Sequence, residues 1–269
     1  MFSLPAEPGA IGHTLDAGFK LYFVAFKRVL VMSLLAALSV SLPMHVMVLL
    51  MPMFAAEGNT PEGGLIAALV IGFTACMVLY MWIYLAAIYR IGGIGQGESR
   101  AFGECMRVGG RKIFPMIVAA ILYSLAMIGG FILLVVPGLI LWVSLAFFGV
   151  CMVLDNDGII ESLRHSHRLV WGNWWRTAII GTVVLIVYYV IYLAVEVPFA
   201  VADQMIYASE LGALPGLGQT ILSLIGDLIA TVITFPLIIA VMIAVYHDLK
   251  LRKEGQDLEA RVEALTASA

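Results

Sequence analysis

Apolar residues fill this chain in long blocks, separated by short polar or glycine-rich stretches. A helix rises about 1.5 Å per residue and the hydrocarbon core of a bilayer is about 30 Å thick, so roughly 20 apolar residues make one crossing. The blocks predict six spans, at 29–51, 64–90, 113–136, 139–154, 175–195 and 216–247, in a single polytopic domain covering 1–269. Residues 250–269 follow as a cytoplasmic tail. The third and fourth spans come from one run, IFPMIVAAILYSLAMIGGFILLVVPGLILWVSLAFFGVCMVL, which as one helix would reach about 60 Å, twice the core. Pro137-Gly138 is the expected reversal, because Pro cannot continue the hydrogen-bond ladder and Gly accepts a positive φ.

Three segments interrupt the apolar pattern just before the first, third and fifth spans: TLDAGFKLYFVAFKR (14–28), SRAFGECMRVGGRK (99–112) and SLRHSHRLVWGNWWR (162–176). Each begins with Ser or Thr and ends on a basic residue. They predict an all-α membrane protein built as a pseudo-repeat, three short cytoplasmic interfacial amphipathic helices each feeding a transmembrane hairpin. In the third segment Ile160, Leu163, His167, Val170 and Trp171 share one helical face, and Glu161, Arg164, His165 and Arg168 the other. His165 and His167 lie about 200° apart around the helix and cannot chelate one metal together. Gly172-Asn173 ends the helix. Trp171, Trp174, Trp175 and Arg176 are then placed for headgroup depth, where they act as a positioning belt. A sharper reading has Arg164, Arg168 and Arg176 collecting anionic headgroups.

Composition agrees with the pattern: 62% hydrophobic residues, 12% charged residues and a mean hydropathy of +1.02 exclude an ordinary soluble domain. The net charge of −3 carries less information than where the charges lie. All fifteen Lys and Arg fall on one side of the six-span arrangement. The opposite loops, 52–63, 137–138 and 196–215, carry Glu57, Glu62, Glu196, Asp203 and Glu210. By the positive-inside rule both termini are cytoplasmic. The opening MFSLPAEPGAIGHTLDAGFK lacks a cationic region before an apolar one, so no cleavable signal peptide is expected. Cys76, Cys105 and Cys151 follow neither a disulfide nor a zinc spacing and read as small apolar residues.

The stretch LLVVPGLILWVSLAFFGVCMVLDNDGIIESLRHSHRLVWGNWWR, with YHDLKLRKEGQDLEAR (246–261) and the N-terminal TLDAGFKLYFVAFKR, resembles a bacterial membrane-domain family known as the membrane portion fused to some glycerophosphodiester phosphodiesterases. His167 stands where the resemblance calls for Trp. A catalytic barrel needs some 200 residues and no loop here has that length, so the resemblance implies a six-helix membrane module without the phosphodiesterase activity.

No Walker A loop, Gly-x-Ser-x-Gly, His-Glu-x-x-His or dinucleotide fingerprint occurs, and no catalytic residue, metal or cofactor is expected. Asp155 and Asp157, in Asp-Asn-Asp-Gly, read as a turn and helix N-cap in preference to a metal pair. Asp248 and Arg252 form an i, i+4 pair. In the last span Thr220, Ser223, Asp227, Thr231 and Thr234 recur at three- and four-residue steps and draw one polar stripe, opposite Ile221, Leu222, Leu224, Ile225, Leu228, Ile229 and Ile233. A charge at that depth costs at least about 2.5 kcal/mol unless hydrated or paired, so the stripe should face the bundle, with His45 a candidate partner that depth counting places several Å nearer the outside.

These features point first to a non-enzymatic protein of a bacterial inner membrane that interacts with membrane lipids, anionic ones included, or with membrane partner proteins or further copies of itself. No nucleic-acid partner is expected. The alternative is a transporter or channel-like protein for a lipid or small amphipathic molecule, using the stripe around Asp227. An intramembrane enzyme ranks third, and would require at least two convergent acid, base or nucleophile groups at one depth.

Overall fold

The computed structural model describes residues 2–55, 63–206 and 216–267. It is all-helical among them: α1 (Ile11–Ala55), α2 (Gly63–Gly95), α3 (Phe102–Leu133), α4 (Val135–Ser144), α5 (Phe148–Leu154), α6 (Ile159–Val170), α7 (Trp174–Ile206) and α8 (Leu217–Ala267). Counting α4 and α5 together, six of its helical segments are long and apolar enough to cross a membrane, the pattern of a multi-pass membrane protein. The predicted outer-loop residues Glu57, Glu62 and Glu210 lie outside the described residues.

The core forms where α1 packs along α8, with α2 on one flank and α7 on the other. Small residues let the backbones approach: Ala25, Ser33 and Ala36 of α1 and Ala240 and Ala244 of α8 are all buried. Leu21, Met32, Ile83, Ile88, Leu237 and Ile243 fill the space between. Outward-facing apolar side chains are as large as the buried ones, Phe23 being 73% and Ile132 79% exposed. In water such a surface would aggregate, whereas lipid chains solvate it.

The reversal between the third and fourth spans differs from expectation. The chain turns at Leu134, in extended backbone (φ −171°, ψ 154°), and Pro137 and Gly138 lie inside the first turn of α4. Pro suits that turn because its missing N–H would have had no intrahelical partner there. Gly138 instead permits contact: a Cβ on it would meet the Phe131 ring at 2.6 Å, and one on Gly130 would lie 3.0 Å from the Gly138 Cα.

Two of the three predicted interfacial helices are not separate elements. Residues 14–28 continue into the first span as α1, and 99–112 into the third as α3. No turn-forming residue stands at either junction, KRVLVMSL or RKIF, and Pro115 sits within α3 without ending it. Only the third unit has a helix of its own, α6, closed as expected by Gly172 at φ +92°. Its packed face is also not the predicted one. Ser162, Ser166, Leu169 and Val170 are buried, whereas Ile160 (63%) and Trp171 (58%) are exposed.

Ser166 explains that choice. Where α4 gives way to α5, its hydroxyl donates to the Ser144 carbonyl (2.8 Å) and accepts from the Phe147 N–H (3.1 Å). One side chain therefore satisfies two backbone groups that the break would leave unpaired.

Candidate functional site

The predicted stripe opens α8. Thr220 and Thr234 are buried and Thr231 half-buried, while Ile221, Ile225 and Ile229 face outward; Ser223 is exposed and departs from the stripe. The hydroxyls of Thr220, Ser223 and Thr234 donate to the carbonyls of Gly216, Thr220 and Ala230 in their own helix. Their polarity is met locally. A carboxylate has no such recourse, so Asp227 must find partners on other helices.

It finds them on two. From α1, His45 brings its Nε2 to 3.5 Å from Asp227 Oδ2. From α7, the Tyr192 hydroxyl donates to Asp227 Oδ1 at 3.1 Å. The Nδ1 of His45 lies 2.8 Å from the Ser41 carbonyl, which can only accept, so Nδ1 must carry a hydrogen. Nε2 then faces a carboxylate oxygen at a distance longer than a hydrogen bond, so this side of the cluster is open to a proton or a small polar group. The His45 side chain is 9% exposed and that of Asp227 29%.

A second carboxyl stands alongside. Glu196 of α7 packs where Gly226 leaves room, since a Cβ at Gly226 would sit 3.3 Å from each of its oxygens. Its Oε1 is enclosed and has no hydrogen-bond partner among the described residues. Asp227 sits ten residues into α8, about 15 Å along the helix. His45, Tyr192, Glu196 and Asp227 thus bring an imidazole, a phenol and two acids together from three helices.

Of these, Tyr192 and Glu196 were missed in the sequence. Glu196 had been placed in a loop at 196–215, but α7 runs on to Ile206. The legible signal was spacing: Tyr188, Tyr192 and Glu196 recur every four residues on one helical face. Tyr188 and Tyr192 stack with their rings 6.0 Å apart.

The residues predicted to meet lipid headgroups divide into two groups. Arg164 and Arg168 are exposed and both pair with Glu161, at 3.2 and 2.8 Å. Trp171 and Trp175 are exposed. Trp174 turns inward, its indole N–H donating to the Ile140 carbonyl at 3.3 Å. Arg176 is engaged inside the protein, with only 17% of its side chain exposed. It donates to the Gly9 carbonyl (2.7 Å), Thr14 Oγ1 (3.0 Å) and Asp248 Oδ2 (3.1 Å). Arg252 completes this knot, reaching Asp248 at 3.0 Å in the predicted i, i+4 pair and the Gly9 carbonyl at 2.6 Å. Between α6 and α8 a groove of ≈ 540 Å³ is lined by His165, His167, Arg168, Leu169, Trp171 and Lys253.

A family model described as Domain of unknown function (DUF7847) matches residues 101–249, a stretch that contains Tyr192, Glu196 and Asp227. No solved structure matches the chain.

Proposed function

The chain belongs to the DUF7847 family, and from its own geometry we propose a non-enzymatic protein of a bacterial inner membrane that moves a lipid or small amphipathic molecule. The moving step uses the cluster of His45, Tyr192, Glu196 and Asp227. The observation that carries this reading is the approach of His45 to Asp227 from a different helix, beside Glu196, whose enclosed Oε1 has no partner among the described residues. Ionisable groups at membrane depth are costly and mark substrate or proton pathways by default. A proton held between helices can be released when they separate, which links helix movement to charge.

Convergent acid and base groups are also what an intramembrane enzyme would require. Transport is preferred because polar groups continue along α8 from Thr220 to Thr234 instead of ending at one point. The proposed orientation puts both termini in the cytoplasm. It is supported by the one-sided Lys and Arg and by the N-terminal segment meeting the end of α2, the start of α7 and the basic part of α8, through Leu4 N–H to the Gly95 carbonyl and through the Arg176 knot. In this orientation α6 lies along the cytoplasmic surface as the interfacial amphipathic helix, with Trp171 and Trp175 at headgroup depth.

The test is water access. In a protein lacking Cys76, Cys105 and Cys151, single cysteines replacing Thr220, Asp227 and Thr231 should react with an impermeant thiol reagent supplied from outside. Cysteines replacing Ile225 and Ile229 should not. Protection of all five positions alike would remove the transport reading.

A second reading, retention of anionic lipid headgroups, is favoured by the groove that holds Arg168 and Lys253 beside Trp171. A kinship with the membrane portions of glycerophosphodiester phosphodiesterases would suit it. Here Arg168→Gln with Lys253→Gln should lower the anionic lipid copurifying in a mild extraction. Arg164→Gln alone should leave it unchanged, since Arg164 does not line the groove.

A further inference from the structure

We propose that Cys151, Asp155, Asp157 and His165 form a binding site for a divalent transition-metal ion of the zinc class. One ligand atom from each, a thiol sulfur, two carboxylate oxygens and an imidazole nitrogen, lies within 4.8 Å of all the others. The local sequence builds this meeting. Cys151 and Asp155 are one helical turn apart at the end of α5, where the Asp155 N–H caps onto the Cys151 carbonyl at 3.0 Å. Asn156, at φ +60°, turns the chain and sets Asp157 beside Asp155. Two turns into α6, His165 points its Nδ1 back at both acids, 2.6 Å from Asp157 and 3.7 Å from Asp155.

A tetrahedral ion with bonds of about 2.0–2.3 Å requires ligand atoms about 3.3–3.8 Å apart. Binding would therefore draw the four ligand atoms, now within 4.8 Å of one another, closer together and move the His165 ring off Asp157, from which it is 2.6 Å away. Cys151 is fully buried within the apolar core, yet its sulfur lies within 4.8 Å of three polar ligand atoms. A buried thiol in a hydrophobic core ordinarily sits among apolar neighbours.

Charge and outer partners agree. On binding, the Cys151 thiol gives its proton to water, leaving one thiolate and two carboxylates against the ion and the Lys250 ammonium, a balance of zero. Lys250 donates to Asp155 Oδ1 at 2.7 Å and Tyr246 donates to Oδ2. Such outer hydrogen bonds fix the orientation of ligating carboxylates. His165 also lines the groove between α6 and α8. A donor set of sulfur, nitrogen and oxygen selects zinc-like ions over magnesium and calcium, which take oxygen ligands. The ion would clip α5 to α6 and, through Asp155, hold both against α8. The site stands apart from the His45 cluster and does not depend on the transport reading.

The probe is Co2+, added to the full-length, tag-free protein in detergent after treatment with a chelator. One equivalent should produce visible ligand-field bands and a near-ultraviolet thiolate-to-cobalt band, and both should disappear when Zn2+ is added. Cys151→Ser should abolish the near-ultraviolet band, and Asp157→Asn or His165→Gln should weaken binding at least tenfold. Cys105→Ser, at a buried thiol elsewhere, should change nothing. Since Cys151→Ser alters a buried position, Asp157→Asn and His165→Gln provide the decision should that variant fail to fold. Absence of stoichiometric binding, or affinity unaltered in both of those variants, would overturn the proposal.

Discussion

Two of the polar clusters that tie helices together in this protein, one at Asp248 and one at Asp227, differ in how completely their groups are paired. In the knot of Arg176, Arg252 and Asp248, each Asp248 oxygen has a donor: Oδ1 accepts from the Gly9 N–H, and Oδ2 from Arg176 and Arg252. The two guanidinium groups share the Gly9 carbonyl. Around Asp227, His45 approaches only to 3.5 Å and Glu196 keeps an enclosed oxygen without a partner. A saturated network holds one arrangement and resists change. An unsaturated one can gain stability by taking up a proton or ligand, and that is what a working site requires. On this comparison the knot is suited to folding, and the Asp227 cluster to the role proposed for it.

The comparison breaks most directly at the knot. Asp248→Ala leaves two arginines and a backbone N–H without their acceptor, and should cost about 3 kcal/mol, the lower range for breaking a buried pair. Thermal unfolding in detergent would show it, with loss of the N-terminal contacts. Ser166→Ala, which unpairs the Ser144 carbonyl and the Phe147 N–H, should cost about 2 kcal/mol by the same measurement. Asp227→Asn should behave in the opposite manner: unfolding temperature unchanged or raised, because an acid is removed from membrane depth. At the small end, Arg164→Gln breaks an exposed pair with Glu161 and should alter stability by no more than about 0.5 kcal/mol. A knot variant that proved neutral, or an Asp227 variant that unfolded, would reverse the two assignments.

Apolar run length revealed the six spans, because crossing a bilayer is a constraint on length and composition that the sequence carries directly. The facing of Asp227 toward His45 was legible for a similar reason, since a lone acid among apolar residues has few partners. What escaped depended on contacts between distant residues. The reversal at Leu134 in place of Pro137-Gly138 follows from glycine packing across the hairpin, and Pro reads the same from sequence whether it ends a helix or begins one. The role of Ser166 could not be inferred until α4 and α5 were seen to break beside it. Arg176 looks like any interfacial arginine in sequence, and its partners Gly9 and Asp248 lie 167 and 72 residues away. His165 was set aside because His167 could not join it, whereas the neighbours that matter sit in the preceding turn.

The central claim is that the Asp227 cluster exchanges a proton with water while the knot does not. Infrared difference spectroscopy across a pH titration of the protein in lipid vesicles tests it directly, through the carbonyl band of protonated carboxyl groups. The account predicts a titrating band that diminishes in Asp227→Asn and in Glu196→Gln, and shifts in His45→Gln. A band unaffected by all three substitutions, or no titrating carboxyl at all, would contradict it and leave the cluster a packing feature.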